Sequence, residues 1–407
     1  GSAFVVIAGE KTVGPRILDP SRGAGQPGIR AHNERLVLSL IRRHGSLSKA
    51  EIARRSRLSP QTVSVIMRVL EKDGLLKRGA PVRGKVGQPS IPMALNSDGV
   101  FTIGLKIGRR GADLILADFV GRVRKRLTVS YPYPLPDALM SFVEAGLAEL
   151  FLECGSDHED RIVGIGVAAP FELWNWLDQV GAPMDEMEAW RDFDFSAEIA
   201  RFSDLPVTVE NDATAACCAE HVFGRGREFT DYVYFFVGYF IGGGIVLNHT
   251  LHTGRTGNAG ALGSMPIRDD DGSERQLIDC ASIVVLERIL TGVTVIPEGS
   301  LSGTEVWSGF DRQLDDWIKQ TARYLTSAAV SACSVFDFEA VMIDGGFPSD
   351  VRSRLVEATH LQMQKIDTRG IERPKVVEAS IGREARAVGA ASLPLLSRYL
   401  LEQSAHV

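Results

Sequence analysis

Cysteine is sparse in this chain. The five (Cys154, Cys217, Cys218, Cys280, Cys333) are odd in number and scattered through 407 residues, with no C-x-x-C spacing. That excludes a disulfide framework and a cysteine zinc site, and it predicts a reducing, cytoplasmic setting. Long apolar runs are missing too. None approaches the roughly 18–20 residues that cross a bilayer, so no membrane partner is expected. Ala3–Ala8 is apolar, but it is too short and lacks the basic leader of a secretion signal. Gly1-Ser2 reads as a cloning scar. Against 44% hydrophobic and 24% charged residues, aromatics reach only 7%. This is ordinary globular composition, in a chain long enough for two or three buried cores.

Charge is present but unevenly placed. Residues 29–95 carry 14 Lys and Arg against Glu34, Glu51, Glu71 and Asp73, a net +10 within a chain whose total is −6. A small basic piece joined to a large acidic one fits nucleic-acid binding by one part only.

That basic piece has helical punctuation. Leu36, Val37, Leu40 and Ile41 recur at helical spacing over Asn33–His44, and Gly45 stops the helix. Ser48-Lys49-Ala50-Glu51 is a capping box opening a short second helix that runs to Arg55. Ser59 caps a third, with Pro60 at the first position, where a missing N–H costs nothing. Val63, Ile66, Met67 and Leu70 are its buried stripe. Two short helices joined by a tight turn make a helix-turn-helix, the second presenting Gln61, Thr62, Ser64 and Arg68 to base edges and phosphates. Leu75–Arg78 and Val82–Ile91 read as a hairpin wing, with Arg83 and Lys85 at its tip for phosphate or the minor groove. The expected DNA contacts are thus Ser48, Gln61, Thr62, Ser64, Arg68, Arg83 and Lys85. A protein-docking module with a solvated basic surface is the competing reading. Capping, helix lengths and charge agree on DNA.

From Val100 the texture becomes α/β. Val100–Ile107, Ala112–Phe119 and Arg122–Tyr131 read as three antiparallel strands, followed by a helix over Pro136–Cys154 and a buried strand over Arg161–Ala168. Phe171–Asp194 is irregular and carries Trp174, Trp176 and Trp190, large aromatics that suit core or interface before a sugar face. Pro206–Glu210 is a strand and Asn211–Phe223 an Ala-rich helix. Tyr232–Gly238 and Gly243–Asn248 then repeat the strand, glycine turn and strand of Val100–Phe119, which predicts two related lobes. Helices near Arg275–Leu290, Thr304–Phe336 and Arg383–Leu400, with strands at Ala340–Ile343 and Pro374–Ala379, complete the second. The run Gly242–Gly244 admits two explanations equally: a cleft lined by main chain, or a bare hairpin with no ligand.

Taken together these segments resemble the ROK family of repressors, open reading frames and sugar kinases. VENDATAACCAE is similar to the family's V-E-N-D-A-N-A-A motif. IGGGIVLN, with the glycine cluster ending GALGSM, is similar to its central signature. The resemblance covers residue 30 onward. It implies a winged helix-turn-helix over 29–96; residues 1–28, with Pro15, Pro20, Pro27 and several glycines, read as a flexible arm before it. A duplicated, actin-like (ribonuclease H-like) body follows, with lobes at 97–224 and 225–407.

Against the kinases of that family, the D-x-G-x-T of the first strand is Lys106-Ile107-Gly108-Arg109-Arg110 here. The G-T-G phosphate loop is Gly238-Tyr239-Phe240. G-E-x-G-H becomes Gly260-Ala261-Leu262-Gly263-Ser264, a later sugar-contacting Glu falls at Ile278, and the cysteine zinc loop is missing. Lys106, Arg109 and Arg110 are expected to be solvated or paired with acids. Asn211 and Asp212 survive as expected ligand contacts. The family Asp serves as general base, and a helix cap is the competing role here. The resemblance therefore implies a regulator, a repressor rather than an enzyme, without metal or cofactor. It would bind double-stranded operator DNA as a homodimer or higher oligomer and sense a carbohydrate-like effector. The alternatives are a sugar kinase with a DNA-binding arm, or a ligand-free dimerisation scaffold regulated by a protein partner.

Overall fold

The computed structural model describes residues 26–82, 90–170, 183–269, 271–292, 301 and 307–401. They divide into two compact units. One is Asn211–Gly389; the other holds the residues before 211 and takes back the chain from Ala390.

The first of the earlier residues form three helices, α1 (Gln26–His44), α2 (Lys49–Ser56) and α3 (Pro60–Lys72). Helix α1 starts well before Asn33, because Pro27 falls in its first turn, where no N–H is needed. Val37, Leu38 and Ile41 of α1 are buried, as are Ile52, Val63, Met67 and Leu70. Between α2 and α3, Arg57 takes a left-handed conformation (φ 57°), an uncommon position for a side chain with a Cβ. Strands β1 (Leu76–Arg78) and β2 (Met93–Leu95) pair antiparallel as the base of a wing. A bridge from Leu47 to Met93 and another from Val82 to Ser90 extend it.

The body of this unit is a five-stranded sheet in the order β5-β4-β3-β6-β7. Its strands are β3 (Phe101–Ile107), β4 (Gly111–Asp118), β5 (Val123–Ser130), β6 (Ile162–Ala169) and β7 (Val207–Asn211). Helix α4 (Pro136–Cys154) packs Leu139, Val143 and Leu147 onto Leu105, Leu114 and Val167. Short helices α5 (Met184–Glu188) and α6 (Phe195–Ile199) follow. Trp190 is core, 3% exposed, with its indole N–H donating to the Pro134 carbonyl at 3.0 Å. Trp174 and Trp176 lie outside the described residues.

Asn211–Gly389 repeats the plan. Helix α7 (Asp212–Phe223) leads to β8 (Tyr232–Val237), β9 (Ile241–Leu247) and β10 (Thr250–His252). A small hairpin, β11 (Pro266–Arg268) and β12 (Glu274–Gln276), precedes α8 (Leu277–Cys280), α9 (Ile283–Gly292) and α10 (Asp311–Val335). After β13 (Ala340–Gly345) come α11 (Ser349–Met363), which the sequence reading passed over, β14 (Lys375–Glu378) and α12 (Ala385–Arg398). The order β10-β9-β8-β13-β14 matches the first sheet strand for strand. Three antiparallel strands carry parallel ones on one flank in both, so the duplication expected from the repeated strand–turn–strand is present.

The triple glycine has a packing explanation. A Cβ at Gly242 would sit 2.7 Å from that of Ala213, one at Gly244 2.5 Å from that of Cys217, and one at Gly243 2.3 Å from the Tyr234 carbonyl. Helix α7 lies on a strand stripped of side chains. In the other unit, a Cβ on Gly166 of β6 would fall 1.7 Å from the Ala390 carbonyl oxygen. The Ala390 carbonyl is main chain and has no rotamer by which to move aside. Gly166→Ala should therefore cost about 3 kcal/mol by overpacking. It should clearly lower the thermal midpoint, while Gly292→Ala, with nothing within 4 Å, should not. Equal melting curves for the two variants would contradict the contact.

Candidate DNA-binding module and effector site

The caps of the module are formed as their residue types require. Ser48 accepts from the Glu51 N–H at 3.3 Å, and the Glu51 carboxylate accepts from the Ser48 N–H and hydroxyl at 2.8 Å each. Ser48 is therefore committed to starting α2. Ser59 accepts from the Thr62 N–H at 3.1 Å and shares a hydroxyl hydrogen bond with Thr62 at 2.8 Å. Of the expected readers, Gln61 and Arg68 are exposed, Thr62 and Ser64 are half-buried, and Arg83 and Lys85 lie outside the described residues.

Val65 is the residue that sequence reasoning missed. It is 50% exposed and sits four residues after Gln61 and three before Arg68, so the three share one helix face. An apolar side chain there suits a thymine methyl group. Helical spacing leaves it off the stripe of Val63, Ile66, Met67 and Leu70, but an apolar side chain gave no signal of a base contact.

The module is tied to the body of its own unit. Arg161 donates to the carbonyls of Asp73 and Gly99 at 3.2 and 2.9 Å. Its guanidinium approaches Gly74 so closely that a Cβ there would be 2.9 Å away. Gly74 also has φ +75°, so glycine serves both needs.

Lys106 and Asp113 are cross-strand partners in β3 and β4, with Nζ 3.4 Å from the carboxylate. Burial pushes the Asp113 carboxyl up, but Lys106, Thr128 and Arg126 outweigh it and hold it below its ordinary value. Arg109 is buried and Arg110 exposed. The turn itself is tight, Gly108 N–H to Gly111 carbonyl at 2.9 Å, with the Tyr131 hydroxyl closing on Gly108 at 2.7 Å.

In the Asn211–Gly389 unit, Asn211 is the N-cap of α7, accepting from the Ala213 N–H at 3.0 Å. Asp212, the first helical residue, is 3.5 Å from Nη1 of Arg386, and both side chains are about one-fifth exposed, at 21% and 22%. Arg386 also stacks over Phe236 at 5.1 Å. Its Nε is buried without a hydrogen-bond partner among the described residues. Asp212 thus faces a guanidinium that sequence reasoning missed. Arg386 lies far downstream in an Ala-rich helix and carried no signal of pairing.

Gly238-Tyr239-Phe240 is a turn filled by two rings at 4.8 Å, edge to face. Its carbonyls accept from the start of α9: Gly238 from the Ile283 N–H at 3.0 Å and Tyr239 from the Val284 N–H at 3.2 Å. Helix N-termini bind phosphate through such free N–H groups, and here the chain's own carbonyls occupy these two. Ile278 lies beside Gly263, with 3.5 Å between its Cβ and one built on the glycine.

Two buried carboxylates hold the segment leading to Arg386. Glu220, fully buried on α7, accepts from the N–H groups of Arg225, Ser380 and Ile381 at 2.8, 3.0 and 3.1 Å. Asp344, also fully buried, accepts from Gly345 N–H, Gly382 N–H and the Tyr234 hydroxyl at 2.9, 3.1 and 3.0 Å. Arg352 lies 3.5 Å from Asp344 and 3.1 Å from Glu378. Burial, reinforced by Glu220, raises the Asp344 carboxyl from 3.8 to about 6, against the pull of Gly345, Arg352 and Tyr234.

The native state thus holds this proton more tightly than the unfolded chain does. The stability it contributes is complete below about pH 4 and lost as pH rises through about 6, with a span of about 3 kcal/mol. Denaturation from pH 4 to 7 should show this fall in the native chain. It should be absent from the slope of Asp344→Asn, whatever that variant's absolute stability. Parallel slopes would contradict it.

Comparison with known proteins agrees with this geometry. A family model described as ROK family matches residues 102–395, and one described as winged helix-turn-helix DNA-binding matches residues 30–77. The chain is 24% identical to the xylose repressor of Bacillus subtilis over 248 residues, 60% of this chain and 62% of that protein. The structure of a ROK family transcriptional regulator, described as a homologue of the E. coli MLC protein, aligns with a TM-score of 0.63 at 21% identity. That alignment covers 91% of this chain and 97% of the other. A ROK hexokinase from Thermus thermophilus aligns at 0.53 with 26% identity, over 74% of this chain and 98% of its own. Two sheets of the same strand order behind a winged helix-turn-helix, with a family match running from the first sheet into the last helix, place this chain in the ROK family.

Proposed function

We propose that the chain is a DNA-binding transcriptional regulator, a repressor, whose actin-like body senses a small carbohydrate-like effector and transfers no phosphate. One observation carries the first part. Helix α3 is capped at its start and presents Gln61, Val65 and Arg68 on one open face, inside a module of net +10. Base edges in the major groove are read by such a mixture of amide, methyl and guanidinium. The name of the xylose repressor supports the same assignment and the choice of a sugar as effector. A cytoplasmic homodimer on paired half-sites is the form that suits it.

The absence of catalysis is supported by three features that oppose phosphoryl transfer. Lys106 occupies a strand position where an acid would serve a metal, and magnesium takes oxygen ligands. Tyr239 and Phe240 fill a turn that phosphates would have to approach. The first N–H groups of α9 are already bonded. Positioning and charge neutralisation are what phosphoryl transfer depends on. The likeness to a hexokinase fold is a likeness of scaffold, and fold alone does not carry an activity.

Salt-dependent binding to duplexes selected from a random library tests the reading. Affinity should fall steeply with salt through counterion release. Gln61→Ala should lower selected-duplex affinity about tenfold, one base contact's worth, and leave random-duplex affinity nearly unchanged. Equal losses on both duplexes would remove α3 from the reading role. Turnover of ATP with a hexose by the same preparation would restore the kinase alternative.

A further inference from the structure

Helix α12 does more than carry Arg386. Its residues up to Gly389 belong to one compact unit and those from Ala390 to the other. At the changeover both neighbours are packed on backbone. A Cβ on Gly389 would fall 1.8 Å from the Ala215 carbonyl of α7, and the Ala390 carbonyl points at Gly166 of β6. Pro394, inside the helix, has no N–H to return to that Ala390 carbonyl. The helical ladder therefore lacks a rung at the residue where the chain changes units, the usual setting of a bend.

The far end of α12 is held by the DNA-binding module. Carbonyls of a last turn have no helical partner. Arg35 of α1, 6% exposed, donates from Nη2 to the Leu396 carbonyl and from Nε to the Leu400 carbonyl, each at 3.0 Å. Ser39, one turn further along α1, accepts from the Leu401 N–H at 2.9 Å. A guanidinium at a helix C-terminus is also favoured by the helix dipole. One continuous helix thus has Asp212 on its first turn, through Arg386, and α1 on its last, through Arg35.

We propose that α12 couples the two functional regions: an effector that takes Asp212 away from Arg386 frees the first turn of α12, and Arg35 conveys the change to α1. Arg35 is then a positioning residue of the DNA-binding module, buried and distinct from the exposed readers of α3. This rests on the reading of Asp212 as an effector contact, but its test needs neither effector nor DNA.

The test is amide hydrogen exchange on the full chain, followed by mass spectrometry, in a double-mutant cycle. Arg386→Met opens the pair from the helix side. Asp212→Asn opens it without touching α12, which guards against a variant that merely misfolds. Either should speed exchange in residues 36–44 and 396–401 by about two- to fivefold, the scale of a partly exposed ion pair, with α4 unchanged. Arg35→Met alone should speed the same segments. Combined with Arg386→Met it should add nothing further, because the link is already cut. Acceleration confined to residues near 212 and 386, or effects of Arg35 and Arg386 that simply add, would overturn the proposal. A chain that bound no operator or effector yet showed this non-additivity would refute the proposed function and leave the coupling standing.

Discussion

Everything in the Asn211–Gly389 unit depends on how closely α7 can lie on β9. Gly242 and Gly244 leave room for Ala213 and Cys217, and Gly243 for the Tyr234 carbonyl and Leu262. With any side chain on those residues, helix and strand would have to move apart. The approach fixes the first turn of α7, and with it the Asp212 carboxylate. It also buries Glu220 on the same helix, where it collects backbone N–H groups from 225, 380 and 381. Those bonds locate the start of α12 and hence Arg386. The glycines are therefore structural first. Whatever the site binds is presented by side chains that their bareness puts in place.

The same scaffold that suits sugar kinases is here chemically altered at separate points. A lysine–aspartate pair spans β3 and β4. Aromatic rings fill the turn after β8, and main-chain carbonyls cap α9. Each change removes something a phosphate needs: a metal carboxylate, open backbone, free N–H groups. None disturbs the sheets: the lysine–aspartate pair sits in register across β3 and β4, and the others lie in a turn and at a helix start. These three features are the ground on which recognition without turnover is proposed, with Asp212 as a contact.

Much of the fold was legible because its signals are local. Ser48, Glu51, Ser59 and Pro60 mark two helix starts within a few residues each, and the bonds they make are those their side chains allow. The duplication showed in paired apolar strands around glycine turns. Helix α1 was read too short because Pro27 and Gly28 look like breakers, yet proline is harmless in a first turn. Helix α11 was missed, since its mixed face (Ser349–Met363) carries little apolar periodicity. The site was less legible because its partners are distant in sequence. Arg386 and Asp212 meet only through the fold, and Val65, though off the buried stripe by spacing, is apolar and carried no polar signal of a contact. The glycine run could not be decided without its helix, because the atoms it makes room for are on α7.

The central claim is that one chain binds DNA through its winged helix-turn-helix and a small molecule through its actin-like body, with the two equilibria linked. Calorimetric titration of the full chain with pentoses, hexoses and N-acetylated hexosamines, free and saturated with a selected duplex, tests it most directly. Linkage is reciprocal. A sugar that binds the free protein should bind the DNA-bound protein several-fold more weakly, and saturating sugar should weaken duplex binding by the same factor. Identical sugar affinity with and without duplex, or no sugar bound in either state, would contradict the account.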